Sequence, residues 1–351
     1  MEEKKITISD VARTAGVSKS TVSNYLNKRY DRMKEETKDK IQAAIDHLDY
    51  VPSISARRLS AKEKSKTIGL IIPENLANIF DTMYYPTVFG SVGKAAEKIG
   101  YSILIYVQNK REKEEQMEYL LGLGKSLVDG FLIFSLTPQD RYFEEFEKNN
   151  IPYVCVGKIA DFDDYHYVAT DHGLAVKLTV KHLADLGHKR IAMVTEDRTS
   201  VVDTTRHRAY IEAMRENNLE YQESYYYSFL CEEIKEQSER FSCRLLQRKD
   251  RPTAIIVPAN MMRYLKMAVK QNDLYIPQDL SVVALEYYER YSEYVTFQNM
   301  EYTRVPSQAH KVSSCAFEKL VDIIENPEGE FTSLLEPAEL KIGKTTGTCK
   351  E

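Results

Sequence analysis

The sequence predicts a small all-α head followed by an α/β body of two doubly wound parallel-sheet subdomains. Three observations support this. Residues 1–66 read as short helices separated by capping residues, and from residue 67 short apolar runs alternate with amphipathic stretches. These alternating units are also too many for a single sheet, and 351 residues suit two or three folded units.

The head begins with Ile6–Asn27, I-T-I-S-D-V-A-R-T-A-G-V-S-K-S-T-V-S-N-Y-L-N. Thr7 is placed as an N-cap, with Asp10 as its acidic partner three residues on. Ile8, Val11, Ala12 and Ala15 share one helix face, and Gly16 offers the left-handed conformation that ends the helix. Ser18 caps a second helix in which Val22, Tyr25 and Leu26 face inward. Lys19, Ser20, Ser23, Asn24 and Asn27 share its other face. With Val17 plugging the turn, this is a helix-turn-helix; an ordinary helical hairpin with a solvated face is the plain alternative. A third helix, about Lys34 to Leu48, carries the apolar stripe Ile41, Ala44, Ile45, Leu48. Residues 50–66, Y-V-P-S-I-S-A-R-R-L-S-A-K-E-K-S-K, hold a short helix opened by Pro52 that is too short and polar to stand without a partner.

In the body the expected strands are Thr67–Ile72, Ser102–Val107, Gly130–Phe134, Tyr153–Val156, Tyr167–Thr170, Arg190–Val194, Thr253–Val257 and Ser281–Leu285. Helical patterns such as Val88–Ile99, Glu112–Leu123, Leu174–Leu186 and Tyr210–Asn217 lie between them. A ligand cleft is expected at the carboxyl ends of the strands. The tyrosines at 225–227 read as solvated strand surface.

Charge is uneven. Residues 1–66 carry 15 Lys/Arg against 10 Asp/Glu, and the rest 33 against 43, within a net charge of -5. A basic head on an acidic body points to a polyanion meeting the head alone. The charged N-terminus, the absence of a long apolar run and five scattered cysteines imply a cytoplasmic protein, with no membrane partner, disulfide framework, metal or cofactor. No G-x-S-x-G, H-E-x-x-H or Walker-type loop occurs, so an enzyme is not expected. Asp171–His172 is the close acid–histidine pairing that invites such a reading, and it also suits a cleft lining or an outward polar pair.

The chain resembles the lac-repressor/gal-repressor family of bacterial regulators along essentially its whole length. The matching segments are D-V-A-x-x-A-G-V-S-x-x-T-V-S, Y-V-P, A-R-R-L, T-I-G-L-I-I-P, V-D-G, H-L-A-D-L-G-H-K-R-I-A and I-P-Q-D-L-S-V-V. The resemblance implies a helix-turn-helix domain over 1–50, a hinge helix and linker over 51–66, and a periplasmic-binding-protein-like body over 67–345. The body's chain is expected to cross between subdomains near residues 168, 292 and 327. That gives an N-subdomain of about 67–168 and 293–326, and a C-subdomain of about 169–292 and 327–345.

The implied function is a dimeric repressor that binds a pseudo-palindromic operator and answers to a small effector, a sugar or related metabolite. A cytoplasmic sugar receptor without operator specificity is the rival. Lys19, Ser20 and Asn24 match the base-reading positions, and Ala56 and Leu59 match a minor-groove wedge, Leu59 alternatively being a core or dimer contact. Lys5, Lys28, Arg57 and Arg58 are candidate phosphate contacts.

In the cleft the resemblance selects Phe80, Asp171, Arg206, Phe229, Asn260 and Glu286. The alternatives are a surface ion pair for Arg206, a solvated carboxylate for Glu286 and ordinary core for Phe229. Several positions depart from the family pattern. Asn24 replaces the usual arginine, which shifts the expected base away from guanine. Lys34 replaces a serine cap, Ala259–Asn260 an Asn-Asp pair, and Glu286 an aspartate. Asp81–Thr87 lengthens a loop with two tyrosines, and 286–302 is tyrosine-rich.

Overall fold

The computed structural model describes residues 6–27, 29–30, 33–51, 64–72, 83–107, 113–134, 142–159, 164–195, 200–228, 244–288 and 300–349. In the head, α1 (Ile8–Ala15), α2 (Lys19–Leu26) and α3 (Glu35–His47) form where their caps lie. The Asp10 carboxylate accepts the Thr7 N–H at 3.0 Å and the Thr7 hydroxyl at 2.7 Å. Gly16 closes α1 at φ 65°. The Ser18 hydroxyl accepts the Thr21 N–H at 3.1 Å, opening α2. Val11, Ala12, Ala15, Val22, Ile41 and Ala44 make the core, with Ile8, Val17, Tyr25, Leu26, Ile45 and Leu48 packed on it. Lys34 makes no side-chain cap to α3, as the missing serine implies.

The first body sheet contains β1 (Thr67–Ile72), β2 (Ser102–Val107), β3 (Gly130–Phe134), β4 (Tyr153–Val156), β5 (Tyr167–Thr170) and β11 (Leu334–Glu336), in the order β11-β5-β4-β3-β1-β2. The second contains β6 (Ile191–Thr195), β7 (Tyr226–Ser228), β8 (Ala254–Pro258), β9 (Ser281–Tyr287) and β10 (Thr303–Pro306), in the order β10-β9-β8-β6-β7. Every paired strand in both sheets runs parallel.

Helices cover both faces, which is why β1, β3, β4, β6 and β8 are almost wholly buried and rich in Ile, Val and Leu. On the first sheet α4 (Tyr84–Ile99) and α10 (Ala309–Glu325) pack one face, and α5 (Lys113–Ser126) and α6 (Tyr142–Lys148) the other. On the second, α7 (His172–Asp185) and α8 (Val201–Glu216) pack opposite α9 (Met262–Gln271). Among the described residues no helix is long and apolar enough to cross a membrane.

The crossings correct part of the expected organisation. The first falls after β5, near the expected residue 168. The second comes after β10, because β10 still pairs with β9 in the second sheet. The third comes after β11, because β11 pairs with β5 in the first. Residues 303–306 therefore belong with the second sheet and 334–336 with the first, later in the chain than expected at 292 and 327. Thr303–Pro306 and Leu334–Glu336 lack the unbroken apolar run that marks the equally short β4, so nothing local signals them as strands. Tyr225 and Tyr226 are a second correction: both are buried, the Tyr226 ring stacking on His207 at 3.8 Å, rather than solvated.

The chain ends as a strap over the second sheet. The Thr345 carbonyl accepts the Val282 N–H at 2.8 Å, and the Cys349 N–H reaches the Leu186 carbonyl at 2.9 Å. His188 bridges the Thr253 hydroxyl at 2.9 Å and the Gly347 carbonyl at 3.0 Å. The carbonyl can only accept, so Nε2 carries the proton, and burial lowers the pKa of the ring. Gly343 lets the strap approach: a Cβ there would sit 2.3 Å from the Tyr302 carbonyl carbon. Gly343→Val is therefore expected to cost about 1–3 kcal/mol through forced backbone displacement. A urea-unfolding midpoint equal to that of the wild type would show that the strap tolerates the extra volume.

Candidate functional site

Two surfaces gather the residues singled out in the sequence. The first is the outer face of α2, where Lys19, Ser20 and Asn24 are all exposed. Val22 on the opposite face is fully buried, which sets the rotation of the helix. Ser18 holds the first turn: its hydroxyl lies 2.7 Å from both the Ser20 and Thr21 hydroxyls. No acidic residue stands in that first turn, so the positive end of the helix dipole and Lys19 present one cationic edge. Arg29, not singled out from the sequence, is exposed just past α2, and its N–H bonds the Asn24 carbonyl at 2.9 Å. Its place in a basic tract after the helix was the available signal. Lys5, Lys28, Ala56, Arg57, Arg58 and Leu59 lie outside the described residues.

The second surface lies at the carboxyl ends of the second sheet's strands. Arg206 on α8 is buried, and its guanidinium bonds the Asp203 carboxylate at 3.1 Å and the Glu286 carboxylate at 2.9 Å. His172 Nδ1 stands 3.5 Å from the same guanidinium. Arg206 is thus no surface ion pair. Glu286, at the end of β9, keeps 36% of its side chain exposed while the pair holds its other side. Its φ of 53° is a left-handed conformation, uncommon for a residue with a side chain, and it falls where the pairing with β10 shifts register before Tyr287 pairs with Pro306.

The electrostatics follow from this packing. Burial pushes the Glu286 carboxyl up, but the Arg206 charge and hydrogen bond, joined by His172 once it is protonated, outweigh it and leave the pKa below the ordinary value. Burial first, then the Arg206 charge, drives His172 down to about 4, so it is neutral at neutral pH. The Tyr84 phenol, on the first turn of α4, is raised by burial and then by Tyr85, Tyr288 and Glu286. The first turn of α4 thus lies within electrostatic reach of the end of β9.

Asp171 caps α7, its carboxylate accepting the Leu174 N–H at 2.7 Å. Asn260 sits in the single turn Ala259–Met261 at the end of β8, beside β9. Phe80 and Phe229 lie outside the described residues. Asp203 is the partner that sequence reasoning missed, and its i,i+3 spacing to Arg206 on one helix was the signal. Among the described residues no group of His, Cys, Asp and Glu could hold a metal ion.

Comparison with known proteins places the head and the body separately. Residues 7–53 match "Bacterial regulatory proteins, lacI family", and residues 180–346 match "Periplasmic binding protein-like domain". The chain is 30% identical to the HTH-type transcriptional repressor PurR of Serratia proteamaculans, over 91% of this chain and 90% of that one. A lac repressor dimer bound to operator and the anti-inducer ONPF superposes with a TM-score of 0.75 at 22% identity, covering 98% of this chain and all of that one. A complex of the transcriptional regulator CelR with cellobiose gives 0.68 at 23% identity, covering 97% and 99%.

Proposed function

This chain belongs to the lacI family of bacterial regulatory proteins and is a DNA-binding transcriptional regulator, and from that premise we propose that it represses by gripping a pseudo-palindromic operator as a homodimer. Lys19, Ser20 and Asn24 read base edges in the major groove, as the placement of an exposed α2 on a three-helix core supports. Ala56 and Leu59 form the minor-groove wedge of the hinge. Lys5, Lys28, Arg57 and Arg58 neutralise phosphates, which makes affinity fall steeply with salt.

A small effector, a sugar or related metabolite, occupies the cleft of Arg206, Glu286, Asp171, Asn260, Phe80 and Phe229, and the solved CelR complex with cellobiose is consistent with that class. Its binding changes the relation of the two subdomains and orders or melts the hinge. The cytoplasm is the expected location, and no catalysis is assigned. The exposed trio on α2 carries this reading.

The test is selection of duplexes from a random pool by the wild type and by Asn24→Arg. The wild type should recover a two-fold-related site whose base opposite Asn24 is not guanine. The variant should move that position towards guanine, by about 1–3 kcal/mol of discrimination. Recovery of guanine by the wild type removes the role of Asn24. Recovery of no preferred site removes the operator reading and leaves the receptor alternative. A thermal-shift screen against sugars, sugar phosphates and purines then identifies the effector class.

A further inference from the structure

The last residues of the linker are fastened to the body at one point. The Asp129 carboxylate accepts the backbone N–H of Ser65 at 2.5 Å with one oxygen and that of Lys66 at 2.7 Å with the other. The N–H of Asp129 itself donates to the Thr67 carbonyl at 2.8 Å. Three consecutive residues are thus held by one side chain and its own backbone. Lys66 is pinned in the left-handed region at φ 47°, and Ser65 is buried. Charge-assisted bonds of this kind are shorter and about twice as strong as neutral ones. Such a grip fixes the direction in which the preceding chain leaves the body.

A second attachment joins this point to the crossings between subdomains. Lys64 donates to the Ile324 carbonyl at 2.8 Å, at the C-terminal end of α10. In the first turn of α10, Lys311 is ion-paired with Glu336 at the third crossing, and the Glu336 carbonyl accepts the Asp171 N–H at 2.8 Å at the first. The 17 residues of α10 make a rod about 25 Å long at 1.5 Å per residue. One end of the rod therefore stands at the crossings and the other at the root of the linker.

We infer that Asp129 is a positioning residue for operator binding: by clamping Ser65 and Lys66 it holds the root of the DNA hinge in the orientation that specific binding requires. The inference rests on the reading of residues 51–66 as that hinge. Asp129 itself touches no DNA.

Full-length Asp129→Asn, Asp129→Ala and Asp129→Glu are compared with the wild type on the duplex that the wild type recovers from a random pool and on a scrambled duplex. Anisotropy gives both affinities, fluorescence transfer between duplex ends gives bending, and all are read well below each protein's melting midpoint. Asp129→Asn and Asp129→Ala should lower the operator-to-scrambled ratio about tenfold or more, the scale of one hydrogen bond to a charged group. Binding to the scrambled duplex should be unchanged, bending should fall, and Asp129→Glu should recover part of the ratio. A purely structural role would lower the midpoint but leave the ratio and the bend as in the wild type, and that result overturns the inference. A wild type with no preferred duplex overturns the hinge reading itself, and the inference with it.

Discussion

Truncation to residues 64–351 is expected to lower affinity for the operator by a factor of about 10³ or more, the usual gap between specific and non-specific binding. The head supplies every base-reading candidate, and its core is drawn only from residues between Ile8 and Tyr50. Removing it takes no side chain from the four core clusters of the two sheets. The truncated chain keeps Ser65 and Lys66 and so keeps the Asp129 clamp. Its melting transition should therefore persist, and its affinity for the effector should match that of the full chain. Titration of a labelled operator with both proteins at one fixed salt concentration checks this, since affinity changes with salt. Retained operator binding by the truncated chain would move DNA recognition into the body.

Arg206→Met is expected to cost about 3–5 kcal/mol of stability, because it removes the cation that compensates two carboxylates, one of them buried. The loss should depend on pH with a definite sign. His172 has a folded pKa of about 4 against an ordinary 6.5, so the unfolded chain binds the extra proton between those values. Wild-type stability from this source is complete above that window and is lost as pH falls through it. Glu286, held low in the wild type, adds stability that is also lost on acidification.

In the variant the opposing charge on His172 is gone, and burial acts on Glu286 without Arg206 to offset it. Its carboxyl then protonates readily and relieves the strain. The deficit of Arg206→Met should thus be widest near neutral pH and narrow towards pH 4. Chemical unfolding at several pH values measures it, and a deficit that stays constant or widens on acidification contradicts the pairing. The variant should also lose its thermal-shift response to whichever effector the wild type recognises.

How far each feature was legible depended on its range along the chain. The capped helices of the head were read correctly because Thr7 with Asp10, Gly16 and Ser18 act within three or four residues. Long apolar strands such as Thr67–Ile72 and Gly130–Phe134 were placed to the residue, since burial on both faces needs an unbroken apolar run. Thr303–Pro306 and Leu334–Glu336 were missed, because they lack the apolar run of an equally short strand such as Tyr153–Val156 and are strands only by virtue of the neighbour they pair with. The tyrosines at 225 and 226 misled for a related reason. A phenol reads as amphipathic in sequence, and only packing takes it out of water: Tyr226 against His207 and the end of β6, and Tyr225 in the opposite core of the same sheet with its hydroxyl donating to the Asp250 carbonyl.

By itself the sequence determined the helix-turn-helix with its outward Lys19, Ser20 and Asn24, the alternation that makes two parallel sheets, and the family. These follow from caps, periodicity and motif spacing, all of them local. Tertiary structure alone decided that Arg206 is buried between Asp203 and Glu286, that His172 is held neutral beside it, where the chain crosses between sheets, and that Asp129 grips the root of the linker. Each of these joins groups brought together by packing, and the burial that sets their charge does not exist until the sheets have formed.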